Sequence, residues 1–333
     1  MVNATTPGVA GAPALLALDW GTTGLRAFLM RDGQVLQERQ AADGIQQLGG
    51  TEPALFEQAL ARIAGDWLRQ WPGLPVIACG MVGSAQGWRE APYAATPADP
   101  QSLGARCVEV RAGDIPVRII PGVVHHPAAA AGASSPEAPD VMRGEETQIA
   151  GALLLEPRWA ARSTFVTPGT HSKWASVRDG RITHFRSYMT GEVYAVLRQH
   201  SILGRLMSDD VPSSDAERLQ AFDAGVQAAQ DESRGGLLHQ IFSARTHGLV
   251  SGWPRAVLGD YLSGLLLGSE LRGARACGDL AAGIPLVLVG APALCGRYAR
   301  ALSLLGRPAD ATLENTAPRG MWSVAQALGL VAS

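Results

Sequence analysis

Leu15-Leu16-Ala17-Leu18-Asp19 runs directly into Trp20-Gly21-Thr22-Thr23-Gly24, and residues 25–30 carry the chain on to Arg31-Asp32-Gly33. An apolar strand ends in a carboxylate, a turn rich in Gly and Thr follows, and a second strand closes on a tight turn before residues 34–37. This is a β-meander, not a strand-to-helix unit. The pattern returns later as Thr164-Phe165-Val166-Thr167, then Pro168-Gly169-Thr170-His171-Ser172-Lys173, a strand over 174–177, and Arg178-Asp179-Gly180 leading into 181–185. Gly21 to Gly33 spans 12 positions and Gly169 to Gly180 spans 11. The spacing predicts an internal duplication of one β-hairpin unit.

Other elements are set around these two meanders. Leu55, Ala59, Ile63 and Trp67 recur at helical steps, which predicts a helix over 53–71 with Thr51 as its N-cap. Residues 76–79 read as a short buried strand leading into Gly80-Met81-Val82-Gly83-Ser84. The Ala, Pro, Gly and Ser-rich stretch 125–139 reads as a loop near a domain boundary. A helix is expected over 145–155, polar helices between 212 and 247, and an apolar helix over 255–275. Gly264 and Gly268 share a face of that helix and would admit a second backbone. A strand over 285–290 and helices over 294–305 and 321–330 complete the chain.

Composition narrows the function classes. At 333 residues the chain has room for about two domains. Hydrophobic residues make up 47% and charged residues 17%, which excludes a disordered chain. The net charge is −2 with no basic block, so no nucleic acid is expected as partner. No apolar run reaches the roughly 20 residues of a membrane span, so no membrane partner is expected either. Residues 1–13 lack the positive segment of a signal peptide. Cys79, Cys107, Cys277 and Cys295 are spaced for neither a zinc site nor a disulfide framework, and a cytoplasmic location is the simplest reading. Lys173 is the single lysine among 28 basic residues. In a chain that uses arginine everywhere else, chance survival is the bland reading, but its place in the densest polar motif points to a site where a compact point charge is needed.

Four places can carry chemistry. At the first, Asp19 precedes a glycine turn whose N–H groups, with the hydroxyls of Thr22 and Thr23, suit an anion; the carboxylate itself suits Mg²⁺. At the second, Gly169, Thr170, His171, Ser172 and Lys173 form a similar turn with a cation added. Two such hairpins can grip the β- and γ-phosphates of ATP. At the third, Arg143-Gly144-Glu145-Glu146 places two carboxylates at a helix start, where the dipole favours them by roughly 0.3–1 kcal/mol each when exposed. Either glutamate can serve as general base for a substrate hydroxyl, and good capping chemistry is the plainer reading. The fourth is a strand, Gly290-Ala291 and a helix, which would let adenosine lie close to the backbone.

Phosphate hairpin, connecting helix, second phosphate hairpin and strand–Gly–helix occur in that order. The order resembles the sugar kinase, hsp70 and actin superfamily. Further blocks narrow the match: the run 79–93 around Gly83-Ser84, Gly87-Trp88-Arg89 and Tyr93; Asp140-Val141-Met142-Arg143-Gly144-Glu145-Glu146; Met189-Thr190-Gly191-Glu192; His200-Ser201-Ile202-Leu203-Gly204; and Tyr261-Leu262-Ser263-Gly264. With the two hairpins they resemble the 2-dehydro-3-deoxygalactonokinase family from about residue 14 to 330.

The resemblance implies an α/β, two-lobed actin-like ATPase (ribonuclease H-like) fold with the nucleotide in the interdomain cleft. The lobes would be 14–140 and 141–333, with the last helix packing back on the first. It implies ATP-dependent phosphorylation of the C6 hydroxyl of 2-dehydro-3-deoxy-D-galactonate, with ATP and Mg²⁺ as cofactors and galactonate breakdown as the setting. Asp19 would hold the metal. Gly21, Thr22, Thr23, Gly169, Thr170, His171, Ser172, Gly290 and Ala291 would hold the nucleotide, and Glu145, Glu146 and Lys173 would be catalytic. Gly83, Ser84, Arg89, Arg143, Met189, Thr190 and Glu192 would meet the sugar acid, with Arg186 a further candidate for its carboxylate. A homodimer is left open. The Glu-Glu block is also similar to that of exopolyphosphatases, which keeps a phosphohydrolase as the alternative, beside a kinase of another sugar acid. A nucleotide-dependent binding module ranks last, because no large appended domain is present. One departure stands out: Gly290 is followed by Ala291 and Pro292 where many relatives have paired glycines.

Overall fold

The computed structural model describes residues 11–127, 138–208, 210, 212–231, 233 and 235–332. Residues 128–137 of the expected 125–139 loop lie outside these. The opening meander forms as read: β1 (Leu15–Trp20), β2 (Leu25–Arg31) and β3 (Gln34–Ala41) pair antiparallel. Asp32 (φ 50°) and Gly33 (φ 70°) make the turn between β2 and β3. Two consecutive positive-φ residues match the right-handed twist of a hairpin, and Asp-Gly is suited to supply them.

Helix α1 (Pro53–Gln70) packs Phe56, Ala59, Leu60, Ile63 and Trp67 into the core. Its N-cap position is Glu52, not Thr51, and no side chain caps it. Pro53 opens the helix instead, with a preset φ and no N–H to satisfy. Then come β4 (Val76–Cys79), β5 (Ala94–Ala95), α2 (Pro100–Gly104), β6 (Val108–Ala112) and β7 (Ile115–Ile119). The short strands β8 (Val123–His125) and β9 (Asp140–Met142) pair antiparallel, so the two ends of the expected loop are joined as strands. Helix α3 (Glu145–Leu155) follows.

The second meander is β10 (Arg162–Thr167), β11 (Ser172–Arg178) and β12 (Arg181–Tyr188). Asp179 (φ 50°) and Gly180 (φ 73°) repeat the turn geometry of Asp32 and Gly33. The strand β11 begins at Ser172, two residues before the expected start at Trp174. Ser172 and Lys173 are therefore strand residues with buried side chains. Helices α4 (Thr190–His200), α5 (Asp215–Ala228), α6 (Leu237–Gln240) and α7 (Ser243–Val250) precede the long apolar α8 (Leu258–Ala276). A Cβ on Gly264 would sit 2.0 Å from the carbonyl oxygen of Phe222, and one on Gly268 would sit 2.7 Å from that of Val226. The expected close approach is thus made by α5. Last come β13 (Leu286–Val289), α9 (Pro292–Leu304), β14 (Ala311–Leu313) and α10 (Ala317–Ala327).

The two main sheets share one plan. The first is ordered β3-β2-β1-β4-β7 with β6 added at the edge, the second β12-β11-β10-β13-β14. In each, the meander's first strand pairs parallel with a fourth strand, and the fourth with a fifth. This 3-2-1-4-5 order, present twice, is the ribonuclease H-like plan of actin-like ATPases. A small sheet, β5-β8-β9, stands apart.

The chain forms two compact units. One draws on the segments Met1–Arg162, Val177–Phe185 and Asn315–Ser333, and so takes in α3 and α10. The other draws on Ser163–Ser176 and Arg186–Glu314. The first unit's core joins one face of its sheet to α1, with Trp20, Phe56 and Trp88 in mutual ring contact at 5.5–6.1 Å.

Candidate active site

In the first unit, Asp19 and Arg26 face each other across the β1–β2 ladder and form an ion pair. The Gly21 N–H donates to the Gly24 carbonyl at 2.9 Å and closes the turn between them. The loop at 43–46 braces this turn from behind. Trp20 Nε1 donates to the Asp43 carbonyl (2.7 Å), and the N–H groups of Ile45 and Gln46 donate to the carbonyls of Gly21 and Thr22 (3.1 Å each). Gly44 permits this contact, since a Cβ there would lie 2.2 Å from the Thr23 carbonyl carbon. Among the described residues the hydroxyls of Thr22 and Thr23 have no partner. A concavity of about 480 Å³ opens beside Asp19, Gly21, Thr23, Gly24 and Arg26.

Asp19 is also in register with Cys79 on β4, whose Sγ lies 4.0 Å from the carboxylate. Burial, with the charges of Asp19 and Glu146, pushes the Cys79 thiol well up, so it stays protonated and inert. Next to it Gly80 takes φ 90°, and a Cβ on Gly144 (φ 108°) would lie 3.7 Å from the Gly80 Cα. Gly144 occupies the N-cap of α3. Glu145 is half-buried and accepts from the Arg143 N–H at 3.0 Å. Glu146 is fully buried: one oxygen accepts from the Gly144 N–H (2.7 Å), the other from the Thr147 hydroxyl (2.9 Å). The two glutamates of one motif thus have different surroundings.

Burial, helped by the charge of Glu145, lifts the Glu146 carboxyl from its usual 4.5 to about 7, against the hydrogen bonds that favour its ionised form. The consequence for folding has a definite sign. The stabilisation is complete below about pH 4.5. As pH rises to 7 the unfolded chain releases this proton while the folded chain holds it, so stability is lost across that window. The loss is on the order of 3 kcal/mol. Urea unfolding of the wild type and of Glu146→Gln from pH 4.5 to 7.5 measures it. The stability difference between the two should change by that amount, and a difference flat with pH excludes the shift.

Arg143 stacks over Tyr93 with its guanidinium 4.5 Å from the ring centre, and Nη2 donates to the Ala91 carbonyl (3.0 Å). Its Nε and Nη1 are buried without a partner. Gly83 makes room for it, since a Cβ there would meet Nη1 at 2.9 Å. The Ser84 hydroxyl donates to the Met81 carbonyl (2.8 Å), and Arg89 is exposed.

In the second unit, the turn 168–171 joins β10 to β11. Gly169 is half-buried, and Thr170 and His171 are exposed. The start of α4 lies on this turn: the Glu192 N–H donates to the Thr170 carbonyl (3.0 Å), and Glu192 pairs with the His171 imidazole. The Ser172 hydroxyl is buried and bonded to the Tyr298 hydroxyl at 2.5 Å. Lys173 is 6% exposed and donates to Ser187 Oγ at 2.6 Å. Gly290 takes φ 154°, lies beside Pro168, and donates its N–H to the Leu313 carbonyl (3.0 Å). Ala291 is the N-cap of α9 and Pro292 its first residue. Met189 is exposed. Thr190 donates its hydroxyl proton to Glu270. Arg186 is already paired with Asp279 at 3.3 Å.

The structure adds four residues that the sequence reading did not single out: Arg26, Gly44, Glu270 and Tyr298. Arg26 was accessible in principle, because a four-residue turn puts it opposite Asp19 on the same face. The other three depend on contacts distant in sequence. The first unit thus brings together Asp19, Cys79, Gly80, Gly144 and Glu146, and the second gathers Gly169, His171, Thr190, Glu192 and Gly290. A single carboxylate beside a glycine turn suits Mg²⁺, which keeps water and phosphate oxygens as its remaining ligands. Among the described residues no cluster of three or more His, Cys, Asp or Glu side chains forms a fuller metal cage.

The model of the 2-keto-3-deoxy-galactonokinase family matches residues 19–324. The chain is 35% identical over 314 residues to the 2-dehydro-3-deoxygalactonokinase of Escherichia coli (strain K12), covering 94% of this chain and 98% of that one. A crystal structure from Sinorhizobium meliloti, described as a candidate 2-dehydro-3-deoxygalactonokinase, superposes with a TM-score of 0.76 at 29% identity, covering 94% of this chain and 99% of the other. With both glycine hairpins and the acidic start of α3 inside the matched span, the chain belongs to the 2-keto-3-deoxy-galactonokinase family.

Proposed function

We propose that this protein transfers the γ-phosphoryl group of ATP to the C6 hydroxyl of 2-dehydro-3-deoxy-D-galactonate. The observation that carries the reading is the near full-length match to the Escherichia coli 2-dehydro-3-deoxygalactonokinase, with the phosphate turns and Glu145 in the matched span. In this reading Gly21, Thr22 and Thr23 bind phosphate oxygens, and Asp19 holds Mg²⁺. When bound there, the metal would neutralise phosphate charge. Gly169, Thr170 and His171 bind phosphate as well, Ser172 braces that turn from inside, and Gly290 and Ala291 give adenosine a close backbone surface. Lys173 supplies a buried cation to the charge that shifts during transfer.

Glu145 is the base: the residue is only half-buried, whereas both oxygens of Glu146 are held inside the fold. Glu145 accepts the C6 hydroxyl proton as that oxygen bonds to phosphorus and the bond to ADP breaks. Glu146 positions the Gly144 turn. Arg143, with two unspent buried donors, is suited to the sugar acid's carboxylate, and a planar fork matches it. Gly83, Ser84, Arg89, Met189, Thr190 and Glu192 complete the proposed substrate contacts. Galactonate breakdown in the cytoplasm is the proposed setting. No helix among the described residues is long and apolar enough to cross a membrane.

An ADP-release assay over a panel of 2-dehydro-3-deoxy sugar acids and neutral sugars tests the reading. Turnover should require the sugar acid and be fastest with the galactonate derivative. Phosphate release of equal rate with no acceptor would instead indicate a phosphohydrolase.

A further inference from the structure

Glu270 projects from the middle of the apolar helix α8 and is 3% exposed. Its carboxylate is a hub. Oε1 accepts from Trp174 Nε1 at 2.7 Å; Tyr298 Oη lies 3.0 Å from Oε1 and 2.8 Å from Oε2; and the Thr190 hydroxyl donates to Oε2. The Ser172 hydroxyl sits 2.5 Å from Tyr298 Oη. One side chain on α8 therefore ties together β11, the first residue of α4, and α9.

The donor count fixes a direction for every bond. An indole N–H only donates, and the Thr190 and Tyr298 hydroxyls donate to the same carboxylate, whose pKa burial raises and these hydrogen bonds hold down. A hydroxyl has one proton and two lone pairs. Thr190 spends its proton on Glu270, and so does Tyr298. Ser172 then gives its proton to the Tyr298 oxygen. No proton in the chain is left to offer outward, and only lone pairs remain.

Thr190 also lines a cavity of about 230 Å³ in the second unit, together with Gly169, Tyr194 and Leu294. A ligand group reaching Thr190 there meets an acceptor. At Thr190 it must bring its own proton, so an O–H is favoured there over a phosphate or carboxylate oxygen; Arg297 also lines the cavity, with its guanidinium held by Asp260 and Ser263.

Resting on the kinase reading, we infer that Glu270 is a positioning residue that holds Thr190 as a hydrogen-bond acceptor, so that this cavity selects a ligand hydroxyl. Two sources carry that chemistry: the ribose of the nucleotide and the hydroxyls of the sugar acid. A glutamine at 270 would present an amide N–H to Thr190 or Tyr298 and reverse the polarity of the chain. Because Thr190 acts on the ligand and Glu270 acts through Thr190, their substitutions should not add.

The test is direct binding by titration calorimetry, with MgADP, its 2′-deoxy and 3′-deoxy forms, and 2-dehydro-3-deoxy-D-galactonate as probes. Thr190→Val should weaken one ligand, MgADP or the sugar acid, by about tenfold, the size of one lost hydrogen bond. The other ligand should bind as before, and Thr190→Ser should restore affinity. Glu270→Gln should weaken the same ligand, and the double variant should bind it no more weakly than Thr190→Val alone. If MgADP is the ligand affected, the deoxy form lacking the relevant hydroxyl should bind wild type and Thr190→Val equally. Loss confined to the sugar acid assigns the hydroxyl to that substrate.

Unchanged binding of both ligands by Thr190→Val overturns the inference. So does a Glu270→Gln loss that is equal for both ligands and adds to that of Thr190→Val. Should Glu270→Gln fail to fold, the Thr190 pair and the deoxy nucleotides still decide whether Thr190 accepts from a ligand hydroxyl. Failure of the wild type to bind the sugar acid at all would count against the kinase reading alone, since the MgADP arm judges Thr190 independently.

Discussion

Glu145→Gln lowers kcat by about 10²–10⁴-fold, the range expected when a general base is removed, and leaves MgADP affinity close to that of the wild type. The substitution keeps the side chain's length and one acceptor oxygen, so the bond from the Arg143 N–H at 3.0 Å can persist. What it removes is the capacity to take a proton. The carboxylate's place is set by local structure: Gly144 bends at φ 108°, and α3 starts at Glu145. A carboxylate at a helix start gains only roughly 0.3–1 kcal/mol from the dipole, so folding stability should fall only slightly. Glu146→Gln should behave differently. Its carboxyl spends both oxygens within the fold, so the variant should change the pH dependence of stability and lower kcat less. Steady-state kinetics and calorimetry on both variants decide the matter. A near-normal kcat in Glu145→Gln with a large loss in Glu146→Gln would exchange the two roles.

The first meander was legible because local chemistry fixes it. Apolar runs form each strand, and in Arg31-Asp32-Gly33 and Arg178-Asp179-Gly180 the Asp-Gly pair supplies the two positive φ angles that a tight hairpin turn needs. The shared sheet order of both halves follows from that repeat. Where the reading slipped, distant partners were the cause. Ser172 and Lys173 look like turn residues, yet both lie on β11, because Tyr298, 126 positions away, and Ser187 give them polar partners inside the fold. Glu270 looks like a charged interruption of an apolar helix, and only Trp174, 96 positions distant, and Thr190, 80 distant, explain its burial. Helix α1 starts at Pro53 as expected, but its N-cap position is Glu52, not Thr51, because Pro53 at the first helical position needs no side-chain cap. Strands of two or three residues, such as Ala94–Ala95, have no periodicity to read. In the candidate site, glycine turns and acidic helix starts announce themselves locally; the side chains that orient them do not.

Lys173→Met should separate stability from activity more sharply than any other substitution. Lys173 as a whole is 6% exposed, and the partner of its ammonium among the described residues is Ser187 Oγ at 2.6 Å. No carboxylate among those residues pairs with it. A buried cation without a counter-charge costs folding energy, since burial penalises charge unless it is paired and fully hydrogen-bonded. Methionine fills a similar volume with no charge, so the variant should unfold in urea at a concentration equal to or above that of the wild type. Its kcat/KM should nevertheless fall by about 10²–10³-fold, the loss typical of removing one preorganised donor to developing charge. Lys173→Arg keeps the charge and should still be impaired. A planar fork needs more room than the ammonium, and β11 holds this side chain against Ser187 in a nearly closed space. A structural lysine would show the reverse pattern: methionine would lower stability, and activity would fall only in step with the folded fraction. Normal kcat/KM in both variants would remove Lys173 from the proposed mechanism and leave its survival, in a chain whose other 27 basic residues are arginine, without a functional cause.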